Sequence, residues 1–301
     1  MSRHRRPDNQ ITSGPADQPN SETQAATLAQ DTLFSGWLPG CLVVWLADAL
    51  IAVSPSLSSR RVLLQPAYVL HHRPYRDTSR ILELFTRDYG RLTLFARGAR
   101  SGRSVLAPVL QPFNLLLVSW SGRGEAGQLL GAEFGAAPVP MPPEHLLSGF
   151  YLNELMMKLF ARHDAHEDVF LLYQAAVGEL QEGIEEARVL RLFEKRLLQL
   201  LGYGVALEWD TAGQAVQSQK IYKYMPEVGL HELEHSGVRD EPRGDLVFLG
   251  SSVLSLARDE LDDTAVRADA RRLLRAALDR LLDGRALGSR DVAAEMRRLK
   301  K

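Results

Sequence analysis

The chain has 301 residues and a single cysteine, Cys41. That excludes an internal disulfide and any cysteine-rich zinc site, and it fits a reducing cytoplasm. Lysine is missing between residues 60 and 135, where eleven arginines stand against five acids: Asp77, Glu83, Asp88, Glu125 and Glu133. Eleven minus five gives this segment +6, inside a chain whose net charge is −1. A basic module in a near-neutral protein fits a polyanion binder, because neutralising phosphates releases condensed counterions. A solvated arginine-rich surface gives the same numbers. Charge alone leaves both readings open.

Before the first β-like segment, the one long hydrophobic run is Leu33 to Val53, which contains Trp37, Val43, Val44, Trp45, Leu46 and Ile51. It approaches the ~20 residues of a spanning helix. Pro39-Gly40 interrupts it, and Asp48 would be costly at mid-bilayer, so no membrane is expected. The Arg3-His4-Arg5-Arg6 cluster lies too far upstream for a signal peptide. Residues 1–31 are polar and without apolar periodicity, which is the composition of a disordered tail. No methionine occurs between Met1 and Met141. Residues 1–61 are therefore read as a disordered or misassigned extension, with Val62 one candidate start at a non-AUG codon.

From residue 62 a regular pattern begins. Strands are predicted over Leu63 to Leu70, Ser79 to Thr86, Arg91 to Arg97, Phe113 to Trp120 and Gln128 to Phe134. Leu92, Leu94 and Ala96 oppose Arg91, Thr93 and Arg97 across the turn Asp88-Tyr89-Gly90, as in a hairpin with one wet face. Ile81 and Phe85 blur the second face of the preceding strand. Five short strands suit an oligonucleotide-binding (OB) barrel over residues 62–137. Helical spacing then takes over from Glu144 to Arg162, Glu167 to Glu182 and Glu185 to Leu201, and again from Val253 to Leu261 and Val266 to Leu282. The predicted fold class is α+β and multi-domain. The barrel precedes a mainly helical domain, 138–301, with a small irregular β and loop insertion at 203–248.

Three motifs suggest enzymes. Gly122-Arg123-Gly124-Glu125-Ala126-Gly127 matches a dinucleotide fingerprint, but a strand-like segment follows where a helix is needed. His231-Glu232-Leu233-Glu234-His235 matches a zinc-hydrolase pattern, which requires both histidines on one helix. Pro226, Gly229 and Gly237 leave that helix little room, so a zinc-dependent hydrolase stands only as the alternative. Gly98-Ala99-Arg100-Ser101-Gly102-Arg103-Ser104 lacks the Gly-Lys-Ser/Thr ending of a phosphate loop. No catalytic set, metal or cofactor is expected.

A set of short motifs falls in order along the chain. They are Pro66-Ala67-Tyr68-Val69-Leu70, Arg73-Pro74-Tyr75-Arg76-Asp77-Thr78-Ser79, Gly90-Arg91, Gly98-Ala99-Arg100, Leu110-Gln111-Pro112-Phe113, Tyr151-Leu152-Asn153-Glu154-Leu155 and Leu201-Gly202-Tyr203, with a terminal Leu287-Gly288-Ser289-Arg290. Together they resemble the bacterial recombination mediator family RecO over roughly residues 64 to 298. The resemblance implies an N-terminal OB domain and a helical domain. It implies binding of single- and double-stranded DNA and annealing of complementary strands. It also implies help, with RecR, in loading RecA onto strands covered by single-strand-binding protein, in the nucleoid-associated cytoplasm. Many members carry a cysteine zinc module in the helical domain; its cysteines are missing here, so a zinc-free variant is implied.

The residues expected to track DNA are Arg73, Arg76, Arg91, Arg97, Arg100, Arg103 and Arg123, on wet strand faces or turns, with Tyr75, Tyr89 and Phe95 as stacking platforms. In the helical domain the resemblance assigns Arg191 to the acidic C-terminal tail of single-strand-binding protein. Arg188, Arg191 and Lys195 fall at i, i+3 and i+7, which predicts one basic stripe, free for that tail or paired with Glu194 or Glu185.

Overall fold

The computed structural model describes residues 61–122, 126–233 and 246–299. The extension to residue 60, with its apolar stretch at 33–53, lies outside them. Five strands, β1 (Arg61–Tyr75), β2 (Ser79–Thr86), β3 (Gly90–Ala96), β4 (Leu116–Ser121) and β5 (Ala126–Phe134), close a barrel in the order β1-β2-β3-β5-β4. All neighbours are antiparallel except β3 and β5. This is an OB barrel. Alternation turns Leu82, Leu84, Leu92, Leu94 and Ala96 inward, where each is buried.

Two strands depart from the sequence expectation. β1 spans 15 residues, because bulges at Val62/Gln65 and Val69/His71 let one strand pair with both β4 and β2. β4 begins at Leu116 and not at Phe113, which has a positive φ of 70° and packs its ring 5.1 Å from Phe150.

The blurred second face of β2 has a physical cause. Phe85 lies outside the barrel yet is fully buried, 5.7 Å from Phe170 and 6.1 Å from Phe160. A strand covered on both faces loses its alternation. Helices α1 (Leu146–Leu159), α2 (Glu167–Gln181) and α3 (Glu186–Leu200) supply that cover. Tyr68, Leu70, Phe85 and Phe113 therefore share one core with Leu152, Leu155, Phe170, Tyr173 and Phe193. Asn153 joins the two parts: its amide donates to the Leu70 carbonyl at 2.8 Å and accepts from the Tyr173 hydroxyl at 2.5 Å. A buried amide with partners on both sides fixes orientation as well as contact.

Beyond α3, strands β6 (Ile221–Met225), β7 (Gly229–Leu233) and β8 (Val247–Leu249) form an antiparallel sheet in the order β7-β6-β8. Helices α4 (Gly250–Ala257), α5 (Thr264–Leu282) and α6 (Gly288–Leu299) follow. The last was not read as a helix from sequence, because its N-terminal cap comes from far away. The Glu154 carboxylate on α1 accepts from the Gly288 N–H at 2.9 Å, the Ser289 N–H at 3.0 Å and the Ser289 hydroxyl at 2.6 Å. Among the described residues, no helix is long and apolar enough to cross a membrane.

Candidate nucleic-acid interface

The outer face of β1, β2 and β3 divides into an open end and a covered end. At the open end Arg73 pairs across the sheet with Ile81, and Ile81 with Phe95, so Arg73, Tyr75 and Phe95 share one face. Tyr75 and Phe95 lie 5.3 Å apart, and the Arg76 guanidinium stands 5.2 Å over the Tyr75 ring. Arg97 leaves β3 on the same parity as Phe95 and is exposed. The Gly98–Ser104 loop folds back onto the β1–β2 turn: the Arg100 N–H donates to Thr78 O at 2.8 Å, and its guanidinium to Arg76 O at 3.3 Å. Arg73, Arg76, Arg97, Arg100 and Arg103 are all exposed, and none has an acidic partner among the described residues.

Arg80 belongs to this cluster and was missed by sequence reasoning. It faces the barrel mouth, opposite Pro74 and Ala96, and its Nη1 is buried without a partner. The signal was available, since Arg80 shares the parity, and so the inward face, of the core residues Leu82 and Leu84. Burial, then the charges of Arg80 and His71, hold the His72 imidazole below its ordinary range, as expected where positive groups crowd. Tyr89 lies elsewhere, edge-on to Trp120 at 5.2 Å. Arg123 lies outside the described residues.

Arg91 needs correction. It is not on a wet face; its side chain is 12% exposed and points into the seam between barrel and helices. Its guanidinium donates to the carbonyls of Met157 and of Phe160 (2.8 Å), at the C-terminus of α1, and lies 3.6 Å from Glu83. Glu83 also holds Arg162 and the Thr93 hydroxyl, each at 2.9 Å. A cation over unpaired helix carbonyls is favourable, so Arg91 caps α1 from the barrel.

The predicted basic stripe on α3 is also divided. Lys195 is buried and donates to Leu256 O (2.8 Å), Ala257 O (2.7 Å) and Asp259 (2.8 Å), capping α4. Arg188 turns to the same loop, 3.4 Å from Asp259 O. Arg191 faces the other way. It donates to Glu194 at 2.7 Å, as in the paired version of the expectation, and Glu194 also accepts from Tyr151 at 2.6 Å. This buried set forms one side of a 250 Å³ cleft whose other lining includes Leu147, Leu190, Arg275, Arg290 and Ala294. Arg191 Nε and Glu194 Oε2 are buried without partners.

The enzyme motifs do not fit their chemistries. β5 starts at Ala126, so no helix follows the glycine pattern. His231 and Glu232 are neighbours on strand β7, where successive side chains point to opposite faces. Glu232 is held by Lys220 at 2.8 Å, and His231 contacts the Thr211 hydroxyl; His235 lies outside the described residues. A zinc pair built on one helix is therefore not formed here.

An OB barrel with exposed arginines and two aromatics on one open end, joined to a helical body, has the form of a nucleic-acid-binding module. Family models described as "Recombination protein O N terminal" and "Recombination protein O C terminal" match residues 61–136 and 143–291. The chain is 38% identical to the DNA repair protein RecO of Ralstonia nicotianae, over 87% of this chain and 97% of the relative. It is 41% identical to those of Methylococcus capsulatus (77% and 93%) and Nitrosococcus oceani (79% and 96%). The chain belongs to the RecO family of DNA repair proteins.

Proposed function

We propose that this protein is a non-enzymatic strand-annealing mediator. It holds single- or double-stranded DNA on the open end of the barrel, so that cationic surface screens the repulsion between two strands. The observation that carries this reading is the grouping of Arg73, Arg76, Arg97 and Arg100 around Tyr75 and Phe95, with Arg103 exposed further along the same loop, all without acidic partners among the described residues. Arginine follows phosphates, and aromatic faces accept any base. No nucleotide is needed for this work.

The Arg191 cleft is the proposed seat for the acidic tail of single-strand-binding protein, because it joins apolar lining to the cations Arg191, Arg275 and Arg290. With RecR, the same protein would help load RecA onto covered strands, in the cytoplasm at the nucleoid. Arg188 and Lys195, committed to the Asp259 loop, support that seat from behind and do not line it.

The test pairs Arg100→Glu with Arg103→Glu and measures affinity for single-stranded DNA against salt. Each lost phosphate contact lowers the slope of log K against log salt by about 0.7, so a drop of about 1.4 is expected. An unchanged slope in a folded variant overturns the assignment of the loop. For the cleft, Arg275→Glu is the probe, since that side chain is 55% exposed and its loss leaves the buried Arg191–Glu194 pair intact. It should abolish the dependence of annealing on the partner's acidic tail and spare annealing of bare strands. Retained tail dependence removes the cleft from the mechanism.

A further inference from the structure

Helix α3 has a second lined flank. Between α2 and α3 runs a groove of 370 Å³ with an apolar floor of Leu172, Ala175, Val189 and Leu192. Leu171, Ile184 and Leu200, on or beside the same hairpin, are 51%, 41% and 46% exposed. Its two walls carry opposite charge: Glu179 on α2, with Glu182 just beyond it, and Arg188 and Arg196 on α3.

The two helices are joined by Glu182–Glu185 and therefore run antiparallel. Glu179 precedes that link by three residues and Arg188 follows it by three, so acid and base stand level across the groove. They do not pair with each other. Glu179 and Glu182 have no ion pair among the described residues. Arg188 makes only long contacts, 3.4 Å to the Asp259 carbonyl and 3.8 Å to the Asp262 carboxylate, which is itself 98% exposed.

We infer that this groove is a self-association surface, occupied by the α2–α3 hairpin of a second copy of the chain. A two-fold axis parallel to the helices lays α2 of one copy on α3 of the other. Glu179 then faces the other copy's Arg188, and the reciprocal pair forms by symmetry. The same operation sets Leu172 and Ala175 against Leu192. An acidic wall and a basic wall at equal height are self-complementary under that axis, and this charge match selects a second copy over an unrelated helix. Two helices of 15 residues offer an interface at the low end of the size range, roughly 1,000 Å² in total, so the dimer is weak and reversible. The inference does not depend on the DNA-binding reading.

Sedimentation velocity of the full chain, free of DNA, tests it over a micromolar concentration series. The wild type should move from monomer to dimer, less readily at high salt. Glu179→Arg and Arg188→Glu should each remain monomeric, with melting curves that show both folded. An equimolar mixture of the two variants should recover the dimer, because one cross-contact is then reversed at both ends and the other is native. A wild type that stays monomeric throughout overturns the proposal. So does a mixture that associates no better than either variant alone.

Discussion

Arg91, on β3, and Arg97, one residue past its end, lie six residues apart on one parity of the chain, and their surroundings could hardly differ more. Around Arg91 the sheet is roofed by the end of α1, and the guanidinium is shared between two helix carbonyls and Glu83. Around Arg97 the sheet is open, and the nearby groups are Phe95, Tyr75 and further arginines that have no ion pair among the described residues. One residue type at one parity is thus a joint at one end and an exposed cation at the other. What decides between them is the cover supplied by segments far away in sequence.

The sharpest way to break the comparison is to truncate both. Arg91→Ala strands the carbonyls of Met157 and Phe160 and leaves Glu83 short of a cation, which should cost about 3 kcal/mol. For a chain of this size that lowers the melting temperature by roughly 10 °C. Arg97→Ala should leave the melt within about 0.5 kcal/mol of wild type and lower the salt slope of DNA binding by about 0.7. Equal melts for the two variants would show that the covered end is not a structural joint.

This contrast also marks how far the sequence could be read. Alternation identified the five strands and their inner residues, because Leu82, Leu84, Leu92 and Leu94 obey a local period of two. The open arginines were legible for the same reason, lying on turns or on the polar parity of a strand. Arg91 has that parity too, and nothing local distinguishes it from Arg97. Its burial depends on the end of α1, more than sixty residues on. Lys195 and α6 repeat the lesson, since each is defined by caps across the fold: Lys195 on α4 and Glu154 on α6. The histidine pattern misled in the opposite direction. Its spacing is correct for a helix, but Gly229 and the pairing with β6 make the segment a strand.

The joint has a second component, one residue before Arg91. Gly90 has a φ of +64°, and a Cβ placed there would lie 1.9 Å from the Asp164 carbonyl oxygen. The close approach lets the Arg91 carbonyl accept from the His163 N–H at 2.8 Å. Gly90→Ala combines left-handed strain with a clash against backbone and should cost about 2 kcal/mol, read as a shift in the urea midpoint. DNA affinity per folded molecule should be unchanged. A loss of affinity at full stability would mean that the two ends are coupled.

At the open end, stacking can be separated from charge. Tyr75→Ala removes a platform but no cation, so affinity for single strands should fall by about 1 kcal/mol, roughly fivefold, at every salt concentration. Its plot against salt should run parallel to wild type, whereas those of Arg73→Ala and Arg97→Ala should be shallower. A shallower plot for Tyr75→Ala would mean that the ring acts by holding Arg76 in place.

The smallest effect concerns α6, which bears Arg290 and one wall of the cleft beside Arg191. Burial alone would raise the Glu154 carboxyl, but the Ser289 hydroxyl and the N–H groups of Ser289 and Gly288 outweigh it and bring the group below its ordinary range. A carboxyl lowered in the folded state stabilises the docked helix above its unfolded pKa, near 4.3, and that contribution fades as pH falls through the folded value. The cleft should therefore keep its shape at neutral pH and lose the α6 wall in acid, as pH falls through the lowered Glu154 value. Hydrogen exchange at residues 288–294 should rise there before the barrel amides respond. Glu154→Gln keeps an acceptor but removes the charge, so the same amides should exchange faster already at pH 7 and lose most of their pH dependence. If both proteins respond to acid alike, the titration belongs to another group, and α6 is held by its packing on α1 alone.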